Sequence, residues 1–339
     1  MNKLTKDDPH LLRLDKLKVL ITGGLGFIGS NLAHACLQAG AKVTIYDCLD
    51  PNSGGNLFNI DEIEAKVEVV RSDILNFNDL CRVVDDKQII FNCAASTSHP
   101  YSMREPWVNT DVNCKGVINL LEALRRFNRK AKFVHVGTTT QLGRLQYKPA
   151  DENHPEFPND IYSASKSASE KYVLIYGKAY GIPATVVRLS NVFGPRAAIH
   201  SSDFTFNNFF IGIALQGREI AVFGTGEQLR NVLYVDDAVS ALIAVSLLDA
   251  SQGEVFLAVS DDHHTVARIA EETVRVIGSG SVRYVPWPDE RKAIDMGDAV
   301  LSNSKIKQLV GWSPSTSLEK GLVMTGAYYR SFGREYLKR

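Results

Sequence analysis

The sequence predicts an α/β protein, a doubly wound parallel sheet with a smaller, interleaved α/β region towards the carboxyl end. Three observations carry this expectation. From Lys18 onward, short β-branched or apolar runs alternate with longer amphipathic ones, the rhythm of parallel strands joined by crossover helices. A glycine-rich turn joins the first run to the first helical pattern, and after Gly194-Pro195 the rhythm breaks.

The elements follow in order. "KVLIT" is a strand, Gly26 to about Ala39 has helical spacing, and "KVTIYD" is a second strand. A helical pattern around Asn78 to Val84 leads to the strand "QIIFNCA", and a helix near Val112 to Phe127 leads to "KFVHVG". A helix near Tyr162 to Tyr180 precedes "ATVVRLSN"; strands of this kind, seven in all, would make the sheet. Beyond Pro195, "NNFFIGIALQG" is a helix, "IAVFG" a short strand and "GTGEQ" a turn, before the long helical run "VDDAVSALIAVSLL" with Asp236 and Asp237 as its caps. The expected division sets residues 1–190, with a returning segment at about 229–260, against about 191–228 and 261–339.

Composition bounds the function. With 339 residues and 45% apolar content the chain can bury a large core. Lys plus Arg equals Asp plus Glu at 38 each, so no positive field points to nucleic acid or an anionic membrane. Five scattered cysteines without a CxxC pair suggest neither zinc nor a redox dithiol, and no metal site is expected. A reduced cytoplasm fits best. The amino terminus lacks an apolar stretch and the longest later runs fall far short of about 18 residues, so neither a signal peptide nor a membrane span is expected.

The stretch "VLITGGLGFIGSNLAHACL" combines strand, glycine turn and helix start. Gly24-x-Gly26-x-x-Gly29 fits the dinucleotide fingerprint, and Gly23, Gly26 and Gly29 fit the related G-x-x-G-x-x-G spacing. Glycines there permit a tight turn and close approach of the backbone to a pyrophosphate, while the helix amino terminus favours its charge. The second strand ends in Asp47, whose carboxylate would accept from both ribose hydroxyls and repel a 2′-phosphate, so NAD is expected over NADP. Asp73 in "RSDIL" is placed either at the adenine edge or as a cap of the following helix.

Two further stretches carry chemistry. "GTTTQLG" sets three threonines where a strand runs out, which is either β propensity or a hydroxyl in an active site. "YSASK" sets Tyr162 and Lys166 at i and i+4, on one helix face, where an ammonium would lower the phenol's pKa and let it act as general base or acid.

The order of glycine turn, "NCAA", Asn113, "GTTT" and "YSASK" resembles the extended short-chain dehydrogenase/reductase family, and within it the NAD-dependent nucleotide-sugar epimerases (UDP-glucose 4-epimerase-like) and dehydratases. "RLSNVFGPR", "GTGEQLRNVLYVDDAVSAL" and "LVGWSPSTSLEKGL" agree with later family segments. The resemblance implies a Rossmann NAD-binding domain, a nucleotide-sugar-binding domain, and a triad of Thr138, Tyr162 and Lys166. It implies cofactor contacts from Phe27 and Ile28 beside the glycines, from Asp73, Ile74, Ala94, Ala95 and Asn113, and from Tyr162 and Lys166. Thr139 falls where the dehydratases carry an acidic Asp, and Thr140 where dehydratases and decarboxylases carry Glu.

Threonine does not do that acid–base work at neutral pH. The expected chemistry is therefore oxidation at C4 of a nucleotide-diphosphate sugar, as a 4-epimerase or 4-dehydrogenase, with a 4,6-dehydratase or decarboxylase as the alternative and a non-catalytic NAD-binding scaffold as another. UDP, GDP, CDP and dTDP sugars all fit. Thr97, Ser98, His99, Ser102, Thr139 and Thr140 would line the sugar pocket, with His99 either a hydrogen-bonding pocket residue or a second acid or base, and Asn191, Arg230 and Arg291 would hold the diphosphate. The family's pairing of helices across a twofold axis implies a homodimer, with Val117, Leu120, Leu121, Leu124, Val173 and Leu174 as its outer apolar positions.

Overall fold

A computed structural model describes residues 14–337. The first half runs β1 (Lys18–Thr22), α1 (Phe27–Gln38), β2 (Lys42–Asp47), β3 (Glu68–Arg71), α2 (Phe77–Val84), β4 (Ile89–Asn92), α3 (His99–Arg104), α4 (Pro106–Thr110), α5 (Gly116–Phe127), β5 (Lys132–Thr138), α6 (Ile161–Tyr180) and β6 (Ala184–Leu189). Then follow β7 (Asn191–Phe193), α7 (Phe206–Leu215), β8 (Glu219–Phe223), β9 (Leu229–Tyr234), α8 (Val235–Leu247), β10 (Val255–Ala258), β11 (His263–Thr265), α9 (Val266–Ile277) and β12 (Ser281–Val285). Short α10 (Asp289–Ala293) and α11 (Ser304–Val310), then α12 (Leu318–Phe332) and α13 (Arg334–Leu337), close the chain.

Seven strands form one parallel sheet in the order β10-β6-β5-β4-β1-β2-β3. Five are the runs quoted above. β3 and β10 are four-residue strands at the two edges, too short for a clear period. Because β1 lies between β2 and β4, the winding reverses at the carboxyl end of β1, the place where such sheets open a crevice. β9 does not return to this sheet: it pairs with β7 and β11, while α8 packs against α1 and β10 joins β6. A further pair, β8 and β12, is parallel.

Local chemistry sets the element ends. Asp160 caps α6 by accepting from Ser163 N, and Gly181, at φ +70°, ends it in the left-handed region. The helix expected from Val112 begins at Gly116, because Asp111–Lys115 forms a π-helical turn. Asp237 is not a cap of α8; its carboxylate accepts from Ser315 N, Ser315 Oγ and Thr316 N, tying the helix to the loop before α12. Asp236 sits in the first turn, and the cap residue Tyr234 makes no side-chain bond there.

The apolar positions assigned to a dimer face lie elsewhere. Val117, Leu120, Leu121, Leu124 and Val173 are buried in the core between the helices and the sheet, and Leu174 packs partly against it. Covering the sheet takes precedence, since each helix has one wide apolar stripe to bury.

A buried ion network underlies the strand end. Arg188 on β6 donates through Nε and Nη2 to Glu170 of α6 at 2.8 and 2.6 Å, and Nη2 also reaches Glu156 at 2.7 Å. Gln141 Nε2 donates to the same Glu170. Arg188→Leu is expected to cost about 3–5 kcal/mol, since it strands a buried carboxylate. The double variant Arg188→Leu, Glu170→Leu should recover much of the loss. Urea midpoints measure both, and equal losses in the two would contradict the account.

Candidate functional site

At the carboxyl edge of the large sheet a cavity of about 750 Å³ runs from the glycine turn, past the end of β5, to the β8 and α10 region. The glycine turn is shaped by close contact. Gly23 has φ +70°, and a Cβ on Gly29 would stand 2.2 Å from Gly23 O, so α1 approaches the turn as only glycine allows. Gly23, Gly26, Phe27, Ile28 and Gly29 all line the cavity. This is a cradle that a Cβ would fill, open at a helix amino terminus, and it fits a pyrophosphate.

Asp47 ends β2 on the cavity wall and accepts from Leu25 N at 2.9 Å and Leu49 N at 2.7 Å. Burial raises its pKa, and the two backbone donors oppose that shift. Asp73 does not cap α2, whose cap is Asn76; its Oδ1 accepts from Leu75 N, and the residue lines the cavity with Ile74, Ala94 and Ala95. Asn113, expected on the cofactor, is instead buried away from the cavity. It accepts from Ser96 N and donates to Ser96 O and Ser165 Oγ, so the π-turn holds the loop after β4. The wider turn carries Asn113 into that position, a common use of π-bulges near functional sites.

The three threonines divide. Thr138 caps the turn after β5, accepting from Thr140 N, and shares the cavity wall with the Tyr162 phenol, whose pKa its hydroxyl lowers. Its Oγ1 lies 3.0 Å from Thr140 Oγ1, which accepts from Ser163 Oγ at 2.9 Å. A chain of hydroxyls therefore runs from Ser163 through Thr140 to Thr138. Thr139, expected in the sugar pocket, points into the core and does not line the cavity. β5 ends at Thr138 and a 3-10 turn begins at Thr139, and this change of backbone separates the two side chains.

Tyr162 and Lys166 both line the cavity, but the expected depression of the phenol's pKa is corrected. Burial pushes Tyr162 up to about 12 against the hydrogen bond from Thr138. Lys166 Nζ donates to Val136 O at 2.6 Å and lies 3.3 Å from His135 Nε2, so its head is anchored on the strand. Burial lowers Lys166 to about 8. His135, itself buried and held below its ordinary pKa by burial and by Lys166, went unnoticed in the sequence because it sits inside an apolar strand.

On the sugar side, Thr97 and His99 line the cavity but Ser98 and Ser102 do not. Ser98 caps α3 by accepting from Tyr101 N, and Ser102 accepts from Tyr162 N while donating to His99 O. These hydroxyls are used by the backbone of two helix starts. His99 Nδ1 is 2.5 Å from Asp160 Oδ2, and its ring meets that of Tyr162 edge-on at 4.7 Å. Asp160 was missed, although an Asp before a helical run is a legible cap signal. Burial raises its pKa, but the bond and charge of His99 outweigh this and leave it lowered.

At the far end, Asn191 Nδ2 donates to Asn231 O, and Arg291 Nη2 lies 3.4 Å from Ser202 Oγ. Arg230 is engaged with Asp295 at 2.7 Å and with the Gly297 and Leu229 carbonyls. Phe223 and Trp287, ring centroids 5.4 Å apart, give this end an apolar wall. Among the described residues, no group of three or more His, Cys, Asp or Glu could hold a metal ion, and no helix is long and apolar enough to cross a membrane.

The dTDP-glucose 4,6-dehydratase of Streptomyces niveus is 31% identical over 93% of this chain and 93% of its own. The UDP-glucose 4-epimerase of Thermotoga maritima, solved with UDP-glucose, superposes with a TM-score of 0.85 at 28% identity, over 93% of this chain and 99% of that one. The dTDP-glucose 4,6-dehydratase of Bacillus anthracis, solved with NAD, gives 0.82 at 29% identity, over 94% and 98%. Residues 20–325 match the family described as GDP-mannose 4,6 dehydratase, and with a cradled glycine turn, Asp47 and a Thr138–Tyr162 pair at one sheet edge, the chain belongs to that family of extended short-chain dehydrogenase/reductases.

Proposed function

We propose that the protein uses NAD to oxidise C4 of a nucleotide-diphosphate sugar and acts, through a 4-keto sugar, as a 4-epimerase or 4-dehydrogenase. The observation that carries this is the strand end after β5: Thr138 lines the cavity with Tyr162 while the two following positions hold threonine, Thr139 buried and Thr140 bonded to Ser163 and Thr138. Bound NAD supplies the hydride acceptor and a cationic ring. The chain's own residues do the rest. Thr138 orients the C4 hydroxyl, and Tyr162 takes its proton and later returns it. A phenol near 12 keeps its proton in isolation, so its work as a base needs positive charge beside it, which the bound cofactor would supply. Asn191, Arg230 and Arg291 face the diphosphate, and Gly23, Gly26 and Gly29 hold the cofactor's pyrophosphate.

The test is reduction of enzyme-bound NAD, followed by absorbance, with UDP-, dTDP-, CDP- and GDP-sugars, and mass analysis of the product. A 4-keto sugar or a 4-epimer is expected. A 4-keto-6-deoxy product would instead assign dehydration, and equal use of NADP would remove the reading of Asp47.

We also infer a homodimer in the cytoplasm. The five cysteines are free, which suits a reducing compartment. On the outer side of α4, α5 and α6, Trp107 is 82% exposed, Ile175 57% and Phe127 51%, large apolar side chains on helices that pack together. Light scattering at micromolar concentration should give twice the 37.4 kDa chain mass, and Trp107→Glu, Ile175→Glu should return it to one. A single-chain mass for the parent refutes the dimer.

A further inference from the structure

The proton relay at C4 uses Thr138, Tyr162 and Lys166, yet an imidazole, that of His99, shares their cavity. Its placement is specific. Asp160, with 5% of its side chain exposed, sits 2.5 Å from Nδ1, and the other oxygen of the same carboxylate accepts from Ser163 N at 2.7 Å. A carboxylate on Nδ1 holds the proton on that nitrogen and leaves the lone pair on Nε2, at the ring edge turned away from Asp160. Ser102 fixes the spacing from behind: it donates to the carbonyl of His99 and accepts from the backbone N of Tyr162. The imidazole and the phenol therefore stand side by side, ring centroids 4.7 Å apart.

From this we infer that His99, oriented by Asp160, is a second catalytic base, acting on a carbon next to C4. The inference rests on the C4 oxidation proposed above. Once C4 is a ketone, the C–H bonds at C3 and C5 are acidified by the carbonyl. Nε2 of His99 takes one of these protons; the C–H electron pair becomes a C=C bond to C4, and the carbonyl pair moves to the oxygen, which accepts a proton from the Tyr162 hydroxyl. Reversal delivers a proton to the same carbon on the same face, and the hydride then returns to C4 or the ketone departs. No oxidant beyond NAD is needed. No oxygen leaves the sugar, because Thr139 and Thr140 supply no carboxyl acid for a leaving group. The outcome is solvent exchange at C3 or C5 in addition to the chemistry at C4.

Solvent deuterium reads this directly, since a hydride held on NAD does not exchange with water and leaves C4 unlabelled. The holoenzyme is incubated in D₂O with UDP-glucose, dTDP-glucose, CDP-glucose and GDP-mannose in turn, and each mixture is followed by NAD absorbance, mass and proton NMR. With a sugar that reduces NAD, one carbon-bound deuterium at C3 or C5 is expected. In His99→Gln, which keeps a donor for Asp160, the ratio of deuterium gained to NAD reduced should fall about a hundredfold, the usual worth of a positioned base. Asp160→Asn keeps an α6 cap but donates to Nδ1, moving the proton to Nε2; it should lower the same ratio comparably. NAD reduction without deuterium in the parent, or an unchanged ratio in both variants, overturns the role of His99 and leaves the C4 reading standing. If none of the sugars reduces NAD, the C4 reading fails and this inference fails with it.

Discussion

Tyr162→Phe is expected to lower the rate of NAD reduction by about 10³-fold, within the range that a positioned acid–base group contributes, while leaving NAD bound. The substitution deletes the phenol oxygen, and it leaves the ring that packs against His99. Thr138→Val should follow at about 10²-fold, because the β-branched shape survives and only the hydrogen bond is lost. Thr140→Val interrupts the chain from Ser163 one step farther from the phenol and should cost less. Thr139→Val, in the core, should leave the rate nearly unchanged and register in stability alone. Single-turnover absorbance with an active nucleotide sugar orders the four. If Thr139→Val or Thr140→Val were the most damaging, a proton path through position 138 would be untenable and the reasoning against dehydration would go with it.

Gly29→Ala should abolish cofactor retention. The added Cβ would lie 2.2 Å from Gly23 O and 2.8 Å from Gly23 C, both backbone atoms that no rotamer change can move. Relief requires α1 to retreat from the turn, which withdraws the helix amino terminus from the pyrophosphate. Strain of this kind costs about 1–3 kcal/mol in the fold, and a loss of similar size at the pyrophosphate corresponds to about 10²-fold in NAD affinity. Gly26→Ala is the control, since its Cβ would meet one backbone oxygen at 3.2 Å, a contact that a small shift relieves. Titration of apo-protein with NAD by calorimetry compares them, and equal affinities in the two variants would exclude steric closure of the turn as the cause.

Much of this architecture was legible in the chain because its signals are local. A glycine at φ +70°, an acid at a strand end and a Tyr and Lys four apart on a helix are short-range patterns whose physical reasons operate within a few residues. The strands β1, β2, β4, β5 and β6 also follow from local alternation. Edge strands β3 and β10 do not, being four residues each.

Which polar group faces the cavity was a different matter. Ser98, Ser102, Asn113 and Thr139 have the side chains expected of a binding site, yet each is used up by a backbone group or by the core. Asp160 and His135 looked unremarkable in sequence and stand against Tyr162's neighbour and Lys166. The six apolar positions on α5 and α6 were read outward and face largely inward.

The fold class and the cofactor turn follow from local patterns in the chain, while the choice of Thr138 rather than Thr139 came from the resemblance to the family. The tertiary structure alone decided that Lys166 rests on Val136, that His99 meets Asp160 across 61 residues, and that Arg188 closes a buried network with Glu170. The physical reason is the range of the forces involved. Dihedral preference and side-chain period are fixed within one or two turns of chain, whereas a hydrogen-bond partner, a desolvated charge or the facing side of a helix depends on which distant segment is packed against it.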